Sequence, residues 1–359
     1  MTDRRRINGP SEGTAPPVFL TSSTRKAITK RSPTTLRKIF LKTSLTPPAT
    51  GSAFLELPTP QNSTTPTLKL TASVYGPRPL PPSTTFSPNA RLTAELKFSP
   101  FSTPGRRRGY VRDGVERDLS AQLSIALAKS VDVGKYPKSG IDVFVSVLDC
   151  EGGLGDLDSD AGKGRDSGKG GGVEVGLMSV LAGAISCASA AIADAGIECF
   201  DLVAGGVAGL VLEKPKWRKG KKADAGQEEE MDVAEDGDSK PSGKKKSRRT
   251  LTLVLDPSPT DGYFIVAAAM VAYMAARDEL TLIWTKGSID PAGDGDGDDG
   301  VEEVERVIDG AITAATGVRL VINEAVKERL LLGLKEMGLV KGNAVVASGD
   351  ADDGDTVMV

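Results

Sequence analysis

Ile141-Asp142-Val143-Phe144-Val145-Ser146-Val147-Leu148-Asp149-Cys150-Glu151-Gly152-Gly153 is the stretch on which the reading of this chain turns. Ile141, Val143, Val145 and Val147 recur at the period of two that a half-buried strand requires, and the Gly-Gly pair closes the strand with a turn. Such a turn can set backbone N–H groups around a phosphate, and strong sites of this kind add an Arg or Lys on a fixed element. Residues 154–172 are mostly Gly, Asp, Ser and Lys and supply no fixed element. The stretch therefore predicts an enzyme-like fold without its anion clamp.

Upstream, Val115, Leu119, Leu123, Ala126, Leu127 and Val131 fall at helical spacing, and Tyr136-Pro137 stops that helix. Before it, 52–57, 67–75 and 92–98 alternate apolar and polar residues and read as three antiparallel strands, with ordered sequence starting near Arg37. Downstream, residues 175–195 form a helix of small apolar residues with so little polar surface that it must be buried on nearly all sides. Four strands follow, over 202–212, 250–255, 263–274 and 280–285, and then a helix or pair of helices over 301–337. Residues 264–276 fit helix by Ala and Met and strand by Val/Ile/Tyr alternation; strand is the reading adopted.

The segments 154–172, 214–249 and 288–300 are too poor in apolar residues to offset their ordering entropy. The 359 residues thus read as a single α+β domain over 37–345 carrying these insertions, with a basic arm over 1–36 and an acidic tail over 346–359. Ten Lys and Arg between residues 1 and 50, Arg37 among them, stand against Asp3 and Glu12 for a net +8. That charge suits phosphates or an acidic partner, or belongs to a tail that contacts nothing. The Lys/Arg clusters at the ends of 214–249 suit nuclear import or nucleic acid, or merely solubilise the loop.

Histidine is absent, which excludes Ser-His-Asp and Cys-His catalysis and His-ligated metal. Cys150, Cys187 and Cys199 lie singly in apolar stretches, so reduced core thiols are expected. With no leader-like segment, and with 264–276 taken as the longest apolar stretch, an intracellular soluble protein without membrane contact is expected.

Six motifs in register, running from Gly51-Ser52-Ala53-Phe54-Leu55-Glu56 through Ser73-Val74-Tyr75-Gly76-Pro77-Arg78, Arg112 to Leu119, Ile141 to Gly153 and Ala191 to Ile197 to Leu253-Val254-Leu255-Asp256-Pro257, resemble the RNase PH family. The resemblance implies a βαβα-type fold (ribosomal protein S5 domain 2-like), assembly into six-membered rings, and 3′-end phosphorolysis of RNA. That reaction uses a Gly-Thr-Arg phosphate pocket and acidic residues holding a divalent ion, which together manage charge on both sides of the scissile bond.

This chain departs from that pattern. Leu154-Gly155-Asp156 stands where Gly-Thr-Arg is expected, and Arg165 lies in a Gly-rich run unsuited to a fixed clamp. Asp256 matches the first acidic position and Asp261 lies near a second; the pair can hold a hard cation, or Asp256 caps a strand-end turn. Of the family's RNA-guiding Arg-Arg pair, Arg112 is kept and Asp113 reverses the other. Arg106, Arg107, Arg108 and Arg112 are the candidate RNA contacts, with a solvated loop as the alternative.

Glu116-Arg117-Asp118-Leu119-Ser120, Tyr136-Pro137-Lys138-Ser139 and Leu255-Asp256-Pro257 look most like a non-catalytic branch of ring subunits in the eukaryotic RNA exosome, the messenger-RNA-transport type. The resemblance then implies a structural subunit that helps form the RNA channel for RNA processing and degradation in nucleus, nucleolus and cytoplasm. Its partners would be RNase-PH-like ring subunits, cap proteins with S1 and KH domains, and RNA. No catalytic residue, metal or cofactor is assigned. The competing readings are an active phosphate-dependent 3′-to-5′ exoribonuclease and an RNA-binding scaffold outside the exosome.

Overall fold

The computed structural model describes residues 32–57, 68–83, 85–102, 113–150, 175–212, 251–258, 265–287 and 299–337. Strands β1 (Phe40–Thr43), β2 (Gly51–Leu57), β3 (Leu68–Pro79), β4 (Arg91–Phe98) and β5 (Ser139–Asp149) form one sheet in the order β1-β2-β3-β5-β4. Strands β6 (Val203–Leu212), β7 (Leu251–Leu255), β8 (Ile265–Met274) and β9 (Glu279–Gly287) form a second sheet, antiparallel throughout, in the order β7-β6-β8-β9. The expected set of three antiparallel strands needs correction. β4 does not pair with β3 but runs parallel to β5, because the chain between them crosses over through helix α1 (Gly114–Ala128), and a parallel pair needs such a crossover. The short β1, antiparallel to β2, was not foreseen.

The sequence of layers follows from what each helix has to cover. Helix α2 (Gly176–Asp194) touches β2 and β3 of the first sheet and β6 and β8 of the second, so it lies between them and sixteen of its nineteen residues are buried. It is long and apolar enough to cross a bilayer, and this fold buries most of it. It, rather than 264–276, is the most extensive apolar element. Helix α3 (Asp299–Glu336) is one uninterrupted helix of 38 residues, where one or two were expected, and it packs on β6 and β8. The order is thus sheet, helix, sheet, helix.

Two adjacent glycines in β6 show how closely these layers approach. Successive strand residues point to opposite faces. A Cβ on Gly205 would overlap the backbone of Ala182 in α2, and one on Gly206 would overlap the backbone of Ala311 and Ala315 in α3. The same packing accounts for the apolar run of β8. Nearly all of its residues are buried within the chain.

Candidate functional site

Strand β7 ends at Leu255, and Asp256 turns the chain with φ +47°, a left-handed conformation that Asp tolerates better than most residues. Its N–H donates to the Val207 carbonyl, which ties the turn to β6. The Arg37 guanidinium grips its carboxylate through Nε at 2.7 Å and Nη2 at 2.6 Å, and the Arg37 backbone N–H donates to the same group at 3.3 Å. The pair is well buried, with side-chain exposures of 6% and 15%. Bidentate, charge-assisted geometry of this kind is strong and directional.

Arg37 therefore does not belong with the solvated charges of the basic arm. The segment leading into β1 is strapped across the second sheet. Leu255 donates to the Pro33 carbonyl, and Leu36 packs against Gly317 of α3. Sequence reasoning counted Arg37 as one charge among ten. The available signal was its place beside Ile39 and Leu41, at the start of alternating apolar sequence.

Of the two readings open for Asp256, a cation site and a capped turn, the geometry favours the second. Both oxygens face a guanidinium, so the donor set does not fit a divalent ion as it stands. Among the described residues no group of three or more Cys, Asp or Glu is arranged to hold a metal. Asp261, the Glu151-Gly152-Gly153 turn, Arg165, Arg106, Arg107, Arg108 and Arg112 lie outside the described residues.

The helix-opening motif has a structural use. Glu116 is buried, and its carboxylate accepts from the N–H groups of Phe98 at 2.9 Å and Asp113 at 3.1 Å. One turn on, the Ser120 hydroxyl accepts from Leu96 N–H at 2.9 Å. Leu96 and Phe98 belong to β4, the outer strand of its sheet. Two side chains four residues apart on α1 thus satisfy strand-edge groups that would otherwise invite another strand.

Two further buried aspartates hold elements together. Asp194, at the end of α2, accepts from Ser52 N–H at 2.9 Å and pairs with Arg329 of α3 at 3.5 Å. Asp201 accepts from the N–H groups of Leu202 and Ala276 and pairs with Arg319, which also donates to the Leu202 carbonyl. At the end of β5, burial raises the Asp149 pKa against the opposing pull of Lys69. Burial pushes the Cys187 thiol up to about 12 and the partly exposed Cys199 up to about 11, so neither is poised as a nucleophile.

Residues 35–198 match domain 1 of the RNase PH 3′ exoribonuclease family. An exosome complex component MTR3 from Chaetomium thermophilum is 42% identical over 301 residues, spanning 82% of this chain and 90% of that protein. The Schizosaccharomyces pombe exosome complex component mtr3 is 29% identical across 90% of this chain and 96% of its own length. A crystal structure of rice Rrp46 superposes with a TM-score of 0.52, covering 83% of this chain and 98% of the other; at 16% identity this likeness concerns the fold alone.

Proposed function

The chain belongs to the RNase PH-like family of 3′ exoribonucleases and exosome subunits, and from that premise we propose that it is a structural, non-catalytic subunit of the RNA exosome ring. The observation that carries this reading is the 42% identity extending over 90% of a relative described as an exosome complex component. The Arg37–Asp256 pair supports the non-catalytic part, since the acidic turn holds a guanidinium of the same chain. So does Leu154-Gly155-Asp156, which stands in the sequence where the resemblance expects Gly-Thr-Arg and carries an acid in place of the arginine.

On this reading the chain completes a channel with other RNase-PH-like subunits beneath S1 and KH cap proteins, and RNA passes to a separate nuclease. Arg106, Arg107, Arg108 and Arg112 would make sequence-independent phosphate contacts. The setting would be nucleus, nucleolus and cytoplasm.

Affinity purification with identification of bound proteins tests the assembly, and a phosphorolysis assay on the isolated chain tests the chemistry. The expected results are co-purification of RNase-PH-like subunits and no phosphate-dependent release of nucleoside diphosphates. A well-folded monomer indifferent to such partners would sink the first part, and nucleoside diphosphate release the second. Changing Arg106, Arg107 and Arg108 together to Ala should weaken RNA crosslinking while leaving assembly intact.

A further inference from the structure

Hydroxyl residues inside these helices usually return a hydrogen bond to the preceding turn. Ser186 donates to the Ala182 carbonyl, Ser120 to Glu116, Thr313 to Asp309 and Thr316 to Ile312. Ser179, in the second turn of α2, does not. Its hydroxyl is buried, with the residue only 5% exposed, and has no hydrogen-bond partner among the described residues. Buried polar atoms are seldom left so.

Ser179 lines a crevice of about 30 Å³ shared with Leu36, Arg37, Ser186, Gly205 and Asp256. The space is walled mainly by apolar surface, but an ion pair and two hydroxyls open onto it. A water needs room for about one probe sphere and two to four polar partners. A volume of this size admits one or two waters and little else.

We propose that the crevice holds an ordered water that joins the Ser179 hydroxyl to the Asp256 carboxylate. The hydroxyl then gains the partner that the described residues do not provide. The water becomes part of the latch between the N-terminal segment, α2 and the end of β7. This inference is independent of the ring assignment, because it rests on one orphaned hydroxyl and the space in front of it.

The full-length chain is crystallised at a resolution that orders internal waters, with a parallel data set from crystals soaked in rubidium. A density peak within hydrogen-bond distance of Ser179 Oγ and an Asp256 oxygen, silent in the rubidium anomalous map, is the expected result. An empty crevice overturns the proposal, as does an anomalous peak, which would mark a cation site. In solution the sign of one thermal shift decides the same question. If the water is present, Ser179→Ala removes its anchor and lowers Tm by about 2 °C. If the crevice is dry, the same change removes an unsatisfied group and raises Tm, which would sink the idea even where Ser179→Ala crystals fail to grow.

Discussion

The two sheets are built to different rules. In β3, at the middle of the first sheet, buried Leu70, Ala72 and Val74 alternate with half-exposed Thr71, Ser73 and Tyr75, because helices cover only one face. In β6 of the second sheet every residue from Val203 to Val211 is buried, with α2 on one face and α3 on the other. The first sheet declares its orientation in sequence and tolerates change on its open side. The second gives up that signal, and its tolerance of added volume, in exchange for contact on both faces.

The sharpest way to break this contrast is to add volume to both sheets. Gly206→Val sets side-chain atoms into the backbone of α3, and the expected loss is more than about 4 kcal/mol, seen as failure to fold or collapse of the denaturant midpoint. Thr71→Val on the open face should stay within about 0.5 kcal/mol. Equal effects would mean that the two sheets are not covered differently.

Next in size is the latch between the N-terminal segment and the second sheet. Arg37→Ala leaves Asp256 buried without its guanidinium and should cost about 3–5 kcal/mol by chemical denaturation. Arg37→Met combined with Asp256→Asn removes both charges and should recover much of that loss. A double variant as unstable as Arg37→Ala would show that packing, not charge, holds the segment down.

Thiol labelling sharpens the same contrast at a finer scale. At pH 8 a thiol near pKa 12 is ionised in roughly one molecule in 10⁴. Cys187, enclosed in α2, should therefore label only on unfolding, and Cys199, partly exposed with a pKa of about 11, should label first. Labelling of Cys187 in the native state at the rate of Cys199 would contradict the sealed layer.

The smallest effect belongs to Asp149, at the end of an inner strand of the open-faced sheet. Its pKa is raised in the fold, so the fold prefers the protonated form and the associated stability is lost as pH rises from 3.8 upward. Asp149→Asn should therefore be slightly stabilising at pH 7, with the gain vanishing below pH 3.8. A gain that persisted unchanged in acid would rule out ionisation as its cause.

What was legible in the sequence follows the same division. The alternation of β2, β3 and β5 and the spacing of α1 gave each element its place, because one face meets water and the other does not. β8 was ambiguous between helix and strand. A strand covered on both faces carries no period that distinguishes it from a buried helix. The parallel pairing of β4 with β5 depends on the path of a connection, which alternation does not encode.

At the site, Asp256 was legible as a strand-end acid. Its partner was not, because 219 residues separate it from Arg37 and nothing local marks the pairing. Glu116 and Ser120 stood out as a motif, but their use in covering the edge of β4 needed the third dimension.

The same separation has a consequence for how the protein is made. On a ribosome adding 5–20 residues per second, Arg37 emerges roughly 10–45 s before Asp256 exists to receive it. β1 and β2 can pair early, whereas the strap over β7 and α3 can close only when synthesis is nearly complete. A nascent chain arrested before residue 251 would carry a formed hairpin and residues 33–37 still accessible to protease; release of the full chain would remove access to those residues.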